Sequence, residues 1–363
     1  MWIGVAAGVL LVAAVCAAAE KKGSAQSDRM TSSQAELMDP REILGPLPIR
    51  NLQPIHLLFF EFTPERAYAL RKGRLQVRLD VTETNTLLDD TGKDPFFKAD
   101  AEMTRVTGRF KYGLTRRLTL GVNVPIVYIH GGFLDGFIEA VERSIDRLRG
   151  DREAETANQV DIRLIDGGTT EIDVREDTFG VGDVSLEGLF QIFQETFWIP
   201  AVSLRLAVKF PTGEFSDLHG SGEYDGAAGV AIQKIWGRWS VSVGGGVTLP
   251  GNPFQTLRLK PDPILYGHFS LERLLSAEWS IGGQLKIVGG LMDLDAEESA
   301  DPNIVLRVRP LTDRSYEINL GAKWAFRQGW LAQFGIVQDF KNSAAVDADF
   351  SLYFSLGSQF DLR

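Results

Sequence analysis

Apolar and polar residues alternate along much of the chain, with the period of two that is typical of β-strands. In the stretch AVSLRLAVKFPTG, every second residue from Val202 to Phe210 is apolar, and Arg205 and Lys209 lie between them. In a soluble sheet the apolar face packs inside, whereas in a membrane barrel it faces lipid and the polar face lines the lumen. One strand fits both arrangements, so the other strands and their connections have to distinguish them.

The same alternation predicts twelve strands, each long enough to cross an outer membrane at a tilt of about 45°. They are predicted at residues 74–82, 105–112, 118–128, 184–192, 201–210, 225–236, 239–250, 263–274, 279–290, 315–326, 330–340 and 348–361. An even number of strands returns the C-terminus to the rim at which the N-terminus enters, as in bacterial outer-membrane barrels.

The connections between these strands alternate between short and long. Short turns are predicted at 114–117, 194–200, 237–238, 275–278 and 327–329, and longer connections at 87–98, 130–180, 212–224, 251–262, 291–314 and 341–347. Short turns on one rim and long loops on the other are the layout of an outer-membrane barrel, with the short turns in the periplasm. The pattern therefore predicts an all-β, antiparallel, up-and-down transmembrane barrel in preference to a soluble sandwich.

The positions of tryptophan agree with this prediction. Amphipathic indole rings favour the headgroup region of a membrane, so barrels carry girdles of aromatic residues at their rims. Apart from Trp2, every tryptophan lies close to a short turn, and together they predict an aromatic girdle at the periplasmic rim: Trp198, Trp236, Trp239, Trp279, Trp324 and Trp330.

Three segments precede the strands. Residues 1–19 form a run of small apolar residues that ends in three alanines, which predicts a cleaved secretory signal peptide. A membrane-spanning helix and lipidation at Cys16 are the alternatives. Residues 20–44 are polar and without a period, which predicts a disordered leader. Residues 45–73, with prolines around IHLLFFEF, are predicted to be a lumen plug or an extra strand, and residues 74–363 the barrel.

Composition narrows the range of functions. The net charge of -10 argues against nucleic acid as a partner, because binding phosphates requires a basic surface. Thirty-seven glycines and 22 phenylalanines favour strands joined by turns. Beyond residue 19 no run of about 18 consecutive apolar residues occurs, which argues against a helical membrane protein. Cys16 is the only cysteine, so cleavage of the signal peptide would remove disulfides and thiol chemistry.

Residues opposite the apolar face line the lumen in this interpretation, and their charges are nearly balanced. Charged rings select ions or guide charged solutes, whereas opposite charges in a narrow barrel pair with each other. The balance favours pairing, and a basic stripe on two strands is the alternative. A barrel of twelve strands has a backbone radius of roughly 12 Å, which suits small solutes. The lumen candidates are Arg105, Arg109, Lys111, Arg205, Lys209, Glu187, Glu272 and Glu317.

The longest connection is predicted to contain an amphipathic helix. Apolar residues from Leu134 to Leu148 recur at helical spacing, with charges of both signs between them. Such a helix packs on its own hairpin at 161–174, caps the barrel mouth, lies on the outer leaflet or folds inward as a gate. The mixed charges favour the packing or capping arrangement.

The sequence shows little that indicates catalysis or metal binding. His56, His130, His219 and His268 are scattered, with no metal-ligand spacing and no hydrolase motif. His268 and Ser270 share a strand face, which supports a barrel hydrolase only as the least favoured hypothesis, since a hydrogen bond in the lumen also explains the pair. The acidic run 293–301 lacks the glycine and spacing of a calcium loop. We expect no enzymatic activity, metal ion or cofactor.

The residues also resemble a known family. The segment GPLPIRNLQPIHLLFFEF before the first strands, and KFPTG at 209–213 at the end of a strand, are similar to the bacterial barrel family catalogued as domain of unknown function 3187. The resemblance covers residues 45–363. It implies an outer-membrane barrel and supplies no catalytic residues. Strand ends like KFPTG also occur in other barrels thought to move aromatic or hydrophobic compounds.

These observations lead to one main hypothesis and two alternatives. The main hypothesis is a porin-like barrel in the outer membrane of a Gram-negative bacterium, acting as a narrow channel or passive transporter for small solutes, hydrophobic or aromatic ones included. Its expected partners are outer-membrane lipid, the barrel insertion machinery and the solute. A closed structural or adhesion barrel that acts through its external loops is the alternative, and a barrel hydrolase is the least favoured.

Overall fold

A computed structural model of the chain describes residues 40–88, 96–132, 159–166, 168–254, 260–293, 311–326, 329–339 and 350–362. The helical elements are α1 (Pro40–Ile43) and a 3-10 turn (His56–Leu58). The strands are β1 (Arg74–Leu88), β2 (Phe96–Gly113), β3 (Leu118–His130), β4 (Asp161–Asp166), β5 (Thr169–Val174), β6 (Thr178–Val181), β7 (Ser185–Phe193), β8 (Ala201–Lys209), β9 (Asp225–Trp236), β10 (Trp239–Leu249), β11 (Lys260–Pro261), β12 (Ile264–Leu274), β13 (Trp279–Val288), β14 (Met292–Asp293), β15 (Ser315–Phe326), β16 (Trp330–Asp339) and β17 (Phe350–Asp361).

Twelve of these strands form one antiparallel barrel. Consecutive barrel strands are hydrogen-bonded neighbours, and β1 closes the sheet by pairing with β17 from Arg74↔Asp361 to Asn85↔Phe350. Closure removes both exposed edges of the sheet. The barrel strands are β1, β2, β3, β7, β8, β9, β10, β12, β13, β15, β16 and β17. The predicted fold class and all twelve predicted strands are confirmed.

The five remaining strands lie at the end of the barrel where the long connections emerge, which we call the long-loop rim; the opposite end is the short-turn rim. The β4–β5 hairpin continues the sheet beyond the barrel by pairing with β2 at Phe96–Asp100. β6 pairs with β3 at Ile126–Ile129, and β11 pairs with β14. β1 and β2 extend further toward the long-loop rim than the sequence predicts. Their upper ends lie beyond the lipid, where no solvent requires apolar and polar residues to alternate.

The apolar face of the strands points outward, as predicted for a membrane barrel. On β8, Leu206 is 65% exposed, whereas its neighbour Arg205 is 4% exposed inside. The same alternation of exposed apolar and buried polar residues continues over β12 and β13. A soluble barrel would have the opposite polarity, since water would then contact the outer face.

The short turns are tight, and Gly237 shows why. Trp236 and Trp239 are directly paired between the neighbouring strands β9 and β10, so only two residues connect these strands. Gly237 has φ 58°, a left-handed conformation that two-residue hairpin turns require and that glycine adopts without strain. This geometry brings the two tryptophans to the same rim.

Some expectations concern residues that lie outside the described ranges: the signal peptide 1–19 with Cys16, most of the leader, the helix at 134–148, and nearly all of the acidic run 293–301. One boundary is wrong. The predicted disordered leader ends before residue 44, because Pro40–Ile43 form a helical turn and Ile43 and Leu44 are fully buried. Within the described ranges, no helix combines the length and the apolar character needed to cross a bilayer.

Candidate functional site in the barrel lumen

The N-terminal segment of residues 43–70, which we call the plug, runs through the lumen. It rises from the short-turn rim along one wall: the N–H of Gly45 donates to Glu272 (2.5 Å), and Nδ2 of Asn51 donates to Ser315 at the far end of β15 (2.9 Å). The chain reverses at the 3-10 turn His56–Leu58 near the long-loop rim. These contacts define the ascending limb and the apex of an inverted U.

The descending limb follows the opposite wall. Lys209 donates to the carbonyl of Leu58 (2.6 Å), and Arg205, lower on β8, donates to that of Thr63 (2.7 Å). Near the short-turn rim, Ser203 donates to the carbonyl of Ala67 (2.7 Å). Gly73 then leads directly into β1. The plug therefore enters and leaves the lumen through the same rim, the short-turn rim.

Proline explains why this segment is not a strand. Pro46, Pro48, Pro54 and Pro64 have no backbone N–H and hold φ near -65°, which is incompatible with a continuous hydrogen-bonded ladder. No residue from 40 to 73, all of them described, is in a strand. Several backbone groups of the plug bond instead to side chains of the wall, such as the N–H groups of Gly45, Phe60 and Ala67, and others bond within the plug, since buried backbone groups need partners.

The apex of the plug lies in an apolar chamber in the upper part of the barrel. Leu58, Phe59 and Phe60 are buried there against inward-facing residues such as Phe97 and Ile129. The chamber also contains Ile162, Leu164, Phe254, Ile264, Val288, Leu291 and Tyr353. Below it the wall is mainly polar, and we call the part of the lumen toward the short turns the charged half. A few charged side chains also reach the chamber, such as Lys209 beside Leu58 and Lys286 beside Glu61.

The charged half contains a network between the plug and the strands β2, β7 and β8. Glu65 of the plug forms ion pairs with Lys111 and with Arg205 (3.5 Å), and Arg205 also contacts Glu187 (3.0 Å). Higher up, Glu61 of the plug contacts Lys286 (2.7 Å). The plug therefore supplies carboxylates to basic residues of the wall.

The other lumen candidates are also buried in pairs. Lys209 contacts Asp183 (2.8 Å) and Asp225 (3.0 Å), and Arg109 contacts Asp80 (2.5 Å). Across the barrel, Lys323 contacts Glu272 (3.1 Å) and Lys286 contacts Glu317 (3.4 Å).

Arg105 faces inward and donates from Nε to Thr107 (3.4 Å). Arg109, Lys111, Arg205 and Lys209 are thus paired with neighbouring carboxylates, and the pairing interpretation describes these four residues better than a basic stripe that faces an open pore. Glu61 and Glu65 are the residues that the sequence interpretation missed. The signal for them is the presence of acidic residues in and just after the apolar run IHLLFFEF.

Cavities lie between the plug and the wall, two of them toward the short-turn rim. A cavity of about 90 Å³ lies in the charged half, between the plug at Pro46 and Glu65 and the wall at Arg78 and Gln333. A vestibule of about 590 Å³ at the short-turn rim shares Glu42, Arg66, Tyr68, Leu70 and Gln359 with it. The charged half is therefore accessible from the short-turn rim.

A third cavity of about 30 Å³, room for roughly one water molecule, lies higher, beside Thr63, Arg105 and Arg109. Glu65 lines the lower cavity and Thr63 the upper one, so the descending limb separates them.

The base of the plug is held at the rim by Glu195, in the turn after β7. Its carboxylate accepts hydrogen bonds from the O–H of Tyr68 (2.5 Å) and the N–H of Ile235 (2.9 Å), and Lys234 lies 3.2 Å away. Partial burial alone would raise the pKa of Glu195. The hydrogen bonds from Tyr68, Ile235 and Lys234 outweigh it and hold the pKa below its ordinary value of 4.5.

All six predicted girdle tryptophans lie on the short-turn rim. Trp198 protrudes most, with 86% of its surface exposed, and Trp236, Trp239, Trp279 and Trp324 are also exposed. Trp279 and Trp324 stack with their ring centroids 5.5 Å apart. Trp330 begins β16 at the same level.

His268 and Ser270 do not form a catalytic pair. Both point into the barrel from β12, but Nε2 of His268 is buried without a hydrogen-bond partner. The next acidic residue on that face, Glu272, is engaged by Ser280 (2.6 Å), Lys323 and the N–H of Gly45. No carboxylate of β12 is thus available to orient the imidazole.

Comparison with known proteins gives one family and several solved barrels. The sequence matches the family described as Protein of unknown function (DUF3187) over residues 30–360. No curated protein matches it. The fold is similar to the COG4313 outer membrane channel from Pseudomonas putida F1, with TM-score 0.53 and 16% identity over 83% of this chain and 100% of that one. The CymD monoaromatic hydrocarbon channel aligns with TM-score 0.38 and 10% identity over 80% and 89%. The likeness to the first of these shows that the chain has the fold of an outer-membrane barrel.

Proposed function

The chain belongs to the DUF3187 family of proteins of unknown function, and from this premise we propose that it is an outer-membrane channel for small solutes, closed by its own N-terminal plug. Its apolar outer face and its tryptophan girdle support a location in the outer membrane with the short-turn rim in the periplasm. Export by a cleaved signal peptide and assembly by the barrel insertion machinery belong to the same proposal.

The observation that carries the proposal is the polar contact between the plug and the wall. The limbs are held by ion pairs and by side-chain hydrogen bonds such as Arg205 to Thr63 and Ser203 to Ala67. A buried ion pair adds little net stability over its separated, hydrated partners, so these polar contacts of the limbs resist withdrawal less than the apolar packing of the apex does. The plug is covalently attached to the barrel only through Gly73, which leaves its limbs free to withdraw through the short-turn rim.

The apolar chamber around the apex of the plug indicates which class of solute the channel would carry. Once the apex withdraws, Phe97 and Ile129 line a cavity above the charged half. An apolar cavity with a few polar groups is typical of a site for a small, largely apolar molecule. We therefore propose that the solutes are small and partly hydrophobic, aromatic compounds included.

A reversible lock on the plug tests this proposal. Asn51 and Ser315 contact each other through their side chains. The double substitution Asn51→Cys and Ser315→Cys, in a Cys16→Ser background, would therefore join the ascending limb to β15 by a disulfide. We expect the oxidised protein to give no flux of a small aromatic acid into liposomes, and the reduced protein to restore it. Equal flux in both states would show that the plug does not gate the barrel. Asn51→Cys alone is the control.

A closed structural or adhesion barrel is the second candidate, and the filled lumen favours it. It predicts no conductance in planar bilayers for the reduced or the oxidised protein. Deleting residues 134–175 separates the two functions further, because a channel would keep its flux and an adhesin would lose binding to its partner.

A further inference from the structure

A second cluster of polar side chains lies on the outer face of the barrel. Glu83 of β1, Glu102 of β2 and His130 of β3 come from three adjacent strands, and the register places Glu102 directly opposite His130. The residues two positions nearer the short-turn rim on these faces are Val81, Thr104 and Tyr128, so the cluster marks the upper edge of the lipid-facing surface. It lies outside the lumen and takes no part in the proposed channel.

The donor atoms of the cluster are close together. One ligand atom from each of the three residues lies within 4.8 Å of those of the other two, and Nε2 of His130 is 3.2 Å from Oε1 of Glu83. The hydroxyl of Thr104 donates to Oε2 of Glu83 (2.5 Å) and lies 3.0 Å from the same Nε2. Ligands of a tetrahedral ion with bonds of about 2.0–2.2 Å lie roughly 3.4 Å apart, so only small side-chain shifts would be needed.

Burial of these side chains is unusual for the outer face. Glu102 is 1% exposed and His130 is 4% exposed. Gly132, with φ 87°, lets the chain pass so close that a Cβ at this position would overlap the carboxyl group of Glu102. In addition, Oε1 of Glu83 is buried and makes no well-formed hydrogen bond, although Nε2 of His130 lies 3.2 Å away. A buried carboxylate oxygen with no donor is costly unless a cation satisfies it.

His130 is also held in a fixed orientation. Its ring stacks on Tyr128 with centroids 4.6 Å apart, and the hydroxyl of Tyr128 donates to Asp177 (2.8 Å). The stack therefore limits the rotation of the imidazole and keeps Nε2 beside the two carboxylates.

We propose that Glu83, Glu102 and His130 form a binding site for a divalent transition-metal ion, with Zn²⁺ as the best fit. One imidazole nitrogen with carboxylate oxygens suits zinc, whereas Ca²⁺ and Mg²⁺ prefer oxygen ligands alone. Three protein ligands leave a fourth position for water. The bound ion links β1, β2 and β3 at the long-loop rim, where β2 changes its partner from β3 to β4.

Metal content of the purified, chelator-stripped barrel tests the site. After equilibrium dialysis against Zn²⁺, we expect one zinc ion per folded chain, and an X-ray absorption spectrum with N/O ligands that include one imidazole. His130→Gln and Glu102→Gln should each weaken binding by about tenfold or more. His219→Gln is the matched control, since His219 lies in the loop between β8 and β9, and it should bind normally.

Heat-modifiable gel migration identifies the variants that fold. If Glu102→Gln fails to fold, the partly exposed Glu83→Gln replaces it. Absence of stoichiometric zinc in the wild-type barrel, or unchanged affinity in folded His130→Gln, would overturn the proposal. An equal loss in His219→Gln would also overturn it.

Discussion

The guanidinium of Arg205 lies over the ring of Phe62, with 4.2 Å between Cζ and the ring centroid. A charged residue of the wall thus stacks on an aromatic residue of the plug, while its Nη atoms engage Thr63 and Glu187. Arginine can satisfy all three contacts because its guanidinium is planar and has five N–H donors. Arg205, whose orientation the alternation of β8 alone leaves open, is thus one of the residues that hold the plug in the lumen.

Removing this stack should loosen the plug. Phe62→Leu keeps a branched apolar side chain of somewhat smaller volume but loses the cation–π contact, which contributes about 2 kcal/mol when it is desolvated. We expect faster hydrogen–deuterium exchange in residues 58–66, with an unchanged exchange rate in the barrel strands. Phe193→Leu, at the exposed end of β7, is the control. Identical exchange in the two variants would show that the stack does not hold the plug.

Neutralising Glu65 should have a larger effect. Glu65→Gln removes the carboxylate that pairs with Lys111 and weakens the contact with Arg205. Loss of one partner of a buried ion pair costs about 3–5 kcal/mol. We expect a raised open probability in planar bilayers. Glu278→Gln, in a short turn, should leave the conductance unchanged. Adding Lys111→Gln to Glu65→Gln should restore part of the closure, and a further increase in conductance would contradict the pairing of these two residues.

The base of the plug should respond to acid through Glu195. Its pKa is lowered in the folded protein, so the stabilisation is complete above the ordinary value of 4.5 and is lost as the pH falls through the folded value. We expect the protection factors of the amides at Tyr68 and its neighbours, which correct for the intrinsic slowing of exchange in acid, to fall as the pH drops below 4.5. Glu195→Gln should show a weaker dependence on pH over this range. An unchanged pH profile in this variant would assign the effect to another group.

A charged substitution on the outer face of β8 tests whether this face contacts lipid. Leu206→Arg places a cation near the middle of the apolar band and should lower the free energy of unfolding in phospholipid vesicles by about 2–4 kcal/mol. The same change at Leu275, in a turn at the rim, should cost about 0–1 kcal/mol. Guanidine titrations measure both values. Equal costs at the two positions would contradict the assigned orientation of the strand.

The sequence by itself determined the barrel. The period of two, the alternation of short and long connections, and the six tryptophans beside short turns are local features, and each follows from the demand that lipid makes on one face of a strand. The direction in which Arg205 and Leu206 point is a consequence of that demand. The pattern predicts β1 and β2 too short, because their upper ends lie beyond the lipid and need not alternate apolar with polar residues.

Only the tertiary structure decided what fills the lumen and which charges meet. IHLLFFEF fits both a strand and a plug as a sequence, and the prolines around it exclude the strand only once a closed barrel without free edges is given. The pairs of Glu65 with Lys111 and of Glu83 with His130 join residues far apart in the chain. Their proximity is set by strand register and by the path of the plug, and neither leaves a periodic trace in the sequence.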